Sequence, residues 1–252
     1  MNALQLLDDL VAGKVIQYAL TIPEGLTFRQ IMQLLRQQPE LRHTLADDSP
    51  AAVMQAIGEP GQSPEGRFYP DTYHFPRGTT DVQFLRRAYR TMAGVLQQEW
   101  QARDTGLPYK TPYDALIMAS IIEKETAVPA ERERIAGVFV RRLEKGMRLQ
   151  TDPTVIYALG QSYDGNIHRR DLSLDSPYNT YRHAGLPPTP IAAPGRDSID
   201  AALHPAPGEE LYFVARGDGS HEFSRTLEEH NRAVARYQLN NNNNQPRAPG
   251  HQ

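Results

Sequence analysis

Hydrophobic and polar positions change their period along the chain, which predicts a mixture of strands and helices. Between Val15 and Ile22 apolar and polar side chains alternate, as in a half-buried β-strand. Thr27 and Ser49 each precede a helical pattern, and a hydroxyl there can cap the first turn of a helix. Glu65–Phe75 is aromatic and is expected to be extended. The first third of the chain is therefore predicted to run strand, helix, helix, strand.

The remaining sequence is predominantly helical at first and then becomes rich in loops. A long amphipathic helix is predicted over Asp81–Arg103, and a far more apolar one over Pro112–Thr126. From Met147 to about Pro207, proline, glycine, tyrosine and asparagine dominate, so mostly loops are expected. Smaller predicted elements are helices at Glu131–Glu144, Thr154–Leu159, Ser198–Leu203 and Thr226–Leu239, and a hairpin of Leu211–Ala215 with Glu222–Ser224.

Composition narrows the class of protein. The 252 residues carry 27 Lys and Arg against 30 Asp and Glu, a net charge of −3, which argues against a general nucleic-acid binder. The longest apolar stretch, Ala115–Ile122, is far shorter than the roughly 20 residues of a membrane span, so a soluble globular chain without one is expected. The absence of cysteine excludes disulfides, cysteine-bound zinc and thiol nucleophiles.

Two glutamates stand at the C-terminal end of the most apolar predicted helix. At about 100° per residue, Glu123 points to the same side as Ala119. Glu125 points into the bulky apolar face with Ile121 and Ile122, where a carboxyl group loses hydration and its pKa rises. A neutral carboxylic acid at neutral pH is what general-acid catalysis requires. Glu125 is therefore the predicted acid and Glu123 the second candidate, while a solvated surface charge is the alternative for both.

Several short motifs follow one another as they do in a known family of cell-wall enzymes. They are Thr21–Gly25, Pro70–Tyr73, Ala119–Thr126, Arg148–Tyr157, Tyr178–Tyr181, Gly185–Pro188 with Pro194-Gly195, His204–Ala206 and Tyr212–Val214. With these motifs the chain resembles the endolytic murein transglycosylases, the MltG or YceG-like family. The resemblance extends over nearly the whole chain apart from the asparagine-rich tail.

The resemblance implies an α+β fold in two parts. A small LysM-like βααβ module that binds glycan would occupy residues 1–80, followed by a connecting helix over 81–105. A mixed α+β catalytic domain of the YceG-like type would occupy 106–239, and the tail at 240–252 is expected to be disordered.

The resemblance also implies an activity and a site. The family cleaves the β-1,4 bond between N-acetylmuramic acid (MurNAc) and N-acetylglucosamine (GlcNAc) inside nascent glycan strands and leaves 1,6-anhydro ends, which limits strand length. One glutamic acid, here Glu125, would serve as acid and then as base, without a cofactor. Residues expected to contact substrate are Gln150, Asp152, Tyr178, Asn179, Thr180 and Tyr181.

Each of these assignments has a plainer alternative. Asp152 could instead be the N-cap of the short helix that follows it, and Tyr178–Tyr181 could form an Asx-type turn packed by tyrosines. The histidines His168, His183, His204, His221 and His230 show no metal-ligand spacing, so no metal is predicted, and His221 is expected in a turn.

Location and partners follow from the resemblance alone. Family members carry a membrane-spanning helix that this sequence does not contain, and they act at the periplasmic face of the bacterial inner membrane. Peptidoglycan strands are the expected partner, and cell-wall synthases are a further one. Two other functions stay open at this point: a glycan-binding scaffold without catalysis, and a conventional hydrolase that pairs Glu125 with Asp152.

Overall fold

The computed structural model describes residues 16–239, which form an α+β fold with two small antiparallel sheets. The strands are β1 (Gln17–Thr21), β2 (Thr72–Pro76), β3 (Tyr212–Ala215) and β4 (His221–Ser224). The α-helices are α1 (Phe28–Arg36), α2 (Pro50–Ile57), α3 (Asp81–Ala102), α4 (Pro112–Glu125), α5 (Arg132–Glu144), α6 (Asp152–Leu159), α7 (Arg196–Leu203) and α8 (Leu227–Val234). The predicted asparagine-rich tail lies outside the described residues.

The N-terminal unit has the predicted order of strand, helix, helix, strand. Strands β1 and β2 pair antiparallel, with Gln17 opposite Pro76. Thr27 caps α1 through a reciprocal bond pattern with Gln30, and Ser49 caps α2. The segment before β2 differs from the prediction, because residues 65–71 form turns and do not extend the strand.

Helix α3 belongs to both hydrophobic cores. Its first half contributes Phe84 and Leu85 to the core of the N-terminal unit. Its second half contributes Met92 and Leu96 to the core built around α4. Because one continuous helix supplies both cores, the two units share a common rigid element.

Helix α4 lies at the centre of the second core. Its residues from Ala115 to Ile122 are all buried, and it packs against α5, α6 and α7. The helix ends at Glu125, one residue earlier than predicted, because Thr126 adopts an extended conformation with φ −140°. Burial on every side is what a helix that is apolar all round predicts.

The two units also meet through backbone hydrogen bonds. Gly25 donates to the Ala193 carbonyl at 2.8 Å, and Ala193 donates to the Leu26 carbonyl at 2.8 Å. Next to this pair, the Lys124 ammonium donates to the Gly25 carbonyl at 3.3 Å. Gly66 has φ +72°, and a Cβ on it would lie 2.4 Å from Pro190, so only glycine fits this close approach.

The C-terminal hairpin and last helix correct two expectations. His221 begins β4, so its prediction as a turn residue is wrong. The helix predicted to run to Leu239 ends its α-helical part at Val234, and Ala235–Leu239 continues as a π-helical turn. Within residues 16–239, no helix combines the length and apolar character needed to cross a membrane.

Candidate active site

Glu125 is the last residue of α4 and faces a cleft between that helix and the C-terminal hairpin. The cleft has a volume of about 630 Å³, and its wall includes Asp152, Tyr181, Phe213 and His221. Because α4 is packed into the core along its length, the carboxyl group is held on a rigid element. A volume of this size accommodates a few sugar rings.

Burial controls the protonation of Glu125. Loss of hydration is the largest influence and, with the nearby Asp152 charge, raises the pKa of Glu125 to about 7. Thr151 donates its hydroxyl to Oε2 at 2.7 Å, and this hydrogen bond acts in the opposite direction. Near neutral pH the group is therefore balanced between acid and carboxylate, as a residue that first donates and then accepts a proton requires.

Glu123, the second candidate, lies in a different environment. Its Oε2 accepts hydrogen bonds from the Gly195 backbone at 3.0 Å and from the Ser198 hydroxyl at 2.7 Å. Both donors belong to the first turn of α7, where backbone N–H groups and the helix dipole favour a negative charge. Glu123 is absent from the cleft wall around Glu125. It is therefore hydrogen-bonded to the start of α7, and neither glutamate is a freely solvated charge.

Asp152 and Tyr181 form a polar pair on the cleft wall. The Tyr181 hydroxyl donates to Asp152 Oδ1 at 2.5 Å. The hypothesis that Asp152 is an N-cap is wrong, because Thr151 occupies the N-cap position of α6 and Asp152 is the first helical residue. The Asp152 carboxylate lines the cleft, and its negative charge contributes to the raised pKa of Glu125.

Gln150 enters the cleft from a strained backbone position. It is the non-glycine residue with positive φ, at +53°, among those described. Its backbone N–H donates to the Thr180 carbonyl at 3.2 Å, and its side-chain oxygen accepts from Arg142 at 3.3 Å. These bonds offset a strain of roughly 1–3 kcal/mol and place Gln150 beside Glu125.

The remaining predicted residues lie behind the cleft wall. Asn179 is fully buried, and its amide donates to the Leu172 and Leu174 carbonyls while its oxygen accepts from the Tyr181 N–H at 3.0 Å. Thr180 is buried and accepts from the Thr151 N–H at 3.1 Å. The Asx-type turn considered from sequence is therefore present, and it positions Thr151 and Tyr181.

Tyr178 lies away from Glu125. Its ring packs 4.8 Å from that of Tyr157, and its hydroxyl bonds Thr189 at 2.9 Å. Tyr157 in turn donates to Glu65 of the N-terminal unit at 2.9 Å. Glu65 also accepts from the Phe28 N–H at 2.8 Å, so this buried carboxyl group joins the two units.

Sequence reasoning missed three features of the site. Thr151 belongs to one of the motifs, but its hydrogen bond to Glu125 was not predicted. Arg142 was overlooked because it lies in an ordinary amphipathic helix. His221 is held on the cleft wall by Glu131, which accepts from its backbone at 3.0 Å and bonds Nδ1 at 2.7 Å. Glu131 and His221 lie 90 residues apart, and no local sequence signal links them.

No group of three or more histidine, aspartate or glutamate side chains converges as a metal site within the part of the chain that the structure describes. His204 bonds Asp200 and the Ala102 carbonyl, and His168 bonds Asp164. These contacts tie neighbouring elements together. The cleft wall around Glu125 carries carboxyl, hydroxyl, imidazole and guanidinium groups.

Known proteins resemble this chain over most of its length. A protein of Bacillus subtilis strain 168 named endolytic murein transglycosylase is 41% identical over 173 residues, which cover 69% of this chain and 48% of that protein. A protein of the same name from Streptococcus pneumoniae serotype 2 is 30% identical over 249 residues, covering 86% of this chain and 44% of its own length. The chain thus spans about half the length of these curated relatives.

A solved structure supports the same grouping. The crystal structure of a YceG-like protein from Listeria monocytogenes superposes with a TM-score of 0.70 at 36% sequence identity. The match covers 92% of this chain and 81% of the other. The sequence profile of the YceG-like family matches residues 1–236. The chain therefore belongs to the YceG-like family.

Proposed function

We propose that this chain carries the catalytic region of an endolytic murein lytic transglycosylase. It would cut the β-1,4 bond between MurNAc and GlcNAc inside a glycan strand. The observation that carries the proposal is the position of Glu125, a carboxyl group with a pKa of about 7 at the end of a rigid buried helix, facing a cleft. The names of the two relatives point to the same activity.

The chemistry needs one group that both donates and accepts a proton. Protonated Glu125 gives its proton to the glycosidic oxygen as the bond to the MurNAc anomeric carbon breaks. The resulting carboxylate then removes the proton of the MurNAc 6-hydroxyl, whose oxygen closes on the anomeric carbon and forms the 1,6-anhydro ring. Because the nucleophile belongs to the substrate, the second step is intramolecular and entropically favoured. The enzyme returns to its protonated state.

Thr151 would support the intermediate state of this cycle. Its hydroxyl donates to Glu125 Oε2, so the bond strengthens when the glutamate becomes a carboxylate. It also fixes the rotamer of the side chain. Tyr181, Asp152 and Gln150 line the same cleft and are the proposed contacts to sugar hydroxyl and N-acetyl groups. Asn179 and Thr180 are proposed to position them, and Tyr178 to support the wall.

A conventional hydrolase is the second candidate function, and one observation favours it. Asp152 lies on the same cleft and interacts electrostatically with Glu125, so it could activate a water molecule. Against this, its Oδ1 is engaged by the Tyr181 hydroxyl. A scaffold that binds glycan without cleaving it is disfavoured by the energetic cost of holding the half-buried Glu125 carboxyl group at a raised pKa.

Product analysis tests the proposal. The purified chain is incubated with uncrosslinked glycan strands, beside Glu125→Gln and the matched control Glu123→Gln, and the ends are identified by mass spectrometry. Lytic cleavage gives 1,6-anhydro ends, which lack the water that hydrolysis adds. We expect such ends from the wild-type chain and from Glu123→Gln. Reducing ends would support the hydrolase, and no new ends would support the scaffold.

The cellular setting is part of the proposal. Internal cleavage of nascent strands would limit their length. The enzyme would act at the periplasmic face of the inner membrane, beside cell-wall synthases. The βααβ unit formed by β1, α1, α2 and β2 is proposed as a LysM-like glycan-binding module. Its role is tested by comparing binding of long and short strands to the whole chain, with longer strands expected to bind more tightly.

A further inference from the structure

Arg142 is a buried cation on the wall of the cleft. Its side chain belongs to α5, only 7% of the residue is exposed, and it lines the same cleft as Glu125. Burial lowers the pKa of its guanidinium, but an arginine stays charged in any protein environment. A charge that is removed from water normally has a paired opposite charge.

The protein contacts of Arg142 are all uncharged. Its Nε donates to the Leu211 carbonyl at 2.6 Å, and its Nη1 donates to the Arg148 carbonyl at 3.1 Å and the Leu149 carbonyl at 2.9 Å. Nη1 also lies 3.3 Å from Gln150 Oε1. Among the described residues, no carboxylate pairs with this guanidinium and no acceptor bonds Nη2. The two N–H groups of Nη2, on a charged guanidinium, are therefore available to a ligand.

Two aromatic rings complete this part of the cleft wall. Arg142 lies 5.0 Å from the centre of the Tyr212 ring, and the His230 ring stacks on Tyr212 at 5.3 Å. The buried Nδ1 of His230 has no hydrogen-bond partner among the described residues. Burial and the nearby Arg142 charge lower the pKa of His230, so the imidazole is neutral at neutral pH. The wall thus combines one positive charge with an unsatisfied polar atom.

Resting on the function proposed above, we propose that Arg142, flanked by Tyr212 and His230, is a subsite for a carboxylate carried by the lactyl side arm of MurNAc. That side arm distinguishes MurNAc from GlcNAc. It ends in a free carboxylate when the strand carries no peptide, and otherwise it holds the carboxylates of the attached peptide. The free Nη2 of a charged guanidinium donates a charge-assisted hydrogen bond to a carboxylate, which is stronger than the bond it would donate to a neutral amide.

This subsite would determine which bond is cut. The two sugars of a strand alternate, so a strand can lie in the cleft in two registers, with either type of β-1,4 bond beside Glu125. Pairing of a lactyl carboxylate with Arg142 selects one register, because GlcNAc carries no such group. Arg142 is then a specificity residue, while Glu125 performs the proton transfers.

The test measures binding, separately from cleavage. Glu125→Gln chain is titrated by calorimetry with a MurNAc-containing tetrasaccharide that has free lactyl carboxylates, with its methylamide, with a peptide-bearing form and with a GlcNAc tetrasaccharide. We expect the acid to bind about tenfold more tightly than its methylamide, as a charge-assisted hydrogen bond predicts. The difference should shrink as salt is added. Equal affinities for acid and methylamide, or binding of neither, would overturn the proposal.

The peptide-bearing tetrasaccharide identifies the source of the carboxylate. Its lactyl carboxyl group is an amide, so tight binding assigns the peptide carboxylate to Arg142, whereas binding like that of the methylamide assigns the lactyl carboxylate. Both outcomes require the acid to be preferred in the first comparison.

Variants locate the effect. In the Glu125→Gln background, Arg142→Gln should abolish the preference for the acid, and Arg141→Gln is the matched control. Arg141 also donates to backbone carbonyls, those of Glu210 and Ala206, but it does not line the cleft. If Arg142→Gln fails to fold, the affinities of the Glu125→Gln chain for the acid and for its methylamide still decide whether a carboxylate is recognised.

The two proposals can fail independently. If the wild-type chain produces anhydro ends while acid and methylamide bind alike, the subsite is wrong and the function stands. If the acid binds more tightly but no anhydro ends form, the subsite stands and the function is wrong.

Discussion

The two sides of the last turn of α4 carry the same type of side chain in opposite environments. Glu123 faces the start of α7, where the N–H of the N-cap residue Gly195 and the Ser198 hydroxyl donate to it. Glu125 faces the cleft at the C-terminal end of its own helix, where the dipole disfavours negative charge and burial raises its pKa. Two residues of separation thus divide a structural carboxylate from a candidate acid.

The comparison teaches that the partner of a carboxylate decides its role more than its position in the sequence does. Glu123 has two donors from another helix, while Glu125 has a single hydroxyl donor, from Thr151. Near neutral pH Glu125 is therefore balanced between acid and carboxylate, while Glu123 is held by hydrogen bonds at the start of α7. Four predictions test this division, from the largest expected effect to the smallest.

The largest effect is expected from removing the proton donor. Glu125→Gln keeps the volume of the side chain but cannot donate and recover a proton, so cleavage of glycan strands should fall by about 10³-fold or more. Glu123→Gln, the control, should stay within about threefold of wild type. Initial rates of formation of anhydro ends measure both. Retained activity in Glu125→Gln together with loss in Glu123→Gln would reverse the assignment.

The second effect is on the pH dependence of kcat/KM. Protonated Glu125 is the reactive form, and its pKa is about 7, so kcat/KM should decline through neutral pH and fall tenfold per pH unit above it. At pH 9 the expected loss is about 100-fold relative to the acidic plateau. A profile that stays flat from pH 6 to pH 9 would contradict this assignment.

A smaller effect is expected from Thr151. In Thr151→Val the carboxylate loses its hydroxyl donor, so kcat/KM should drop by about tenfold and the alkaline limb should move to higher pH. Thr151→Ser keeps the hydroxyl and should restore both values. Loss of activity with an unchanged limb would show that Thr151 acts on the fold and not on Glu125.

The smallest effects are on stability, and they have opposite signs. The pKa of Glu125 is higher in the folded than in the unfolded state. Its contribution to the free energy of unfolding is therefore fully present below the unfolded pKa and is lost as pH rises through about 7. Glu125→Gln should therefore gain stability relative to wild type between pH 5 and pH 9, on the order of 1–3 kcal/mol.

Glu123→Ala should lose about 1–2 kcal/mol, since the Gly195 N–H and the Ser198 hydroxyl lose their acceptor. Urea unfolding at several pH values checks both variants. A loss in Glu125→Gln at pH 9 would contradict the buried-acid interpretation.

Much of the fold follows from local signals. Thr27, Ser49 and Thr80 cap the helices that begin after them, and Gly58 ends α2 with φ +94°. The burial of α4 is likewise readable from its unbroken apolar run. Errors are confined to element ends, such as residues 65–71, where close approach to Pro190 imposes a turn.

The site is only partly predictable, because its bonds join segments that are distant in the sequence. Glu125 follows from the helix period, but its bond to Thr151 spans 26 residues and depends on how α6 packs against α4. Asn179 has an amide side chain of the kind that binds sugars. In the fold it is buried, however, and its amide donates to two loop carbonyls. The surroundings of Arg142 arise in the same way, from backbone carbonyls that carry no sequence signal.

The junction between the units has a consequence for engineering. Tyr157, which bonds Glu65 across the junction, lies on α6, the helix that begins beside Thr151. An exchange of residues 16–80 for an unrelated module would remove the partner of Tyr157 and the backbone pair of Ala193. A chimera would therefore have to keep these contacts if α6, and Thr151 at its start, are to stay in place.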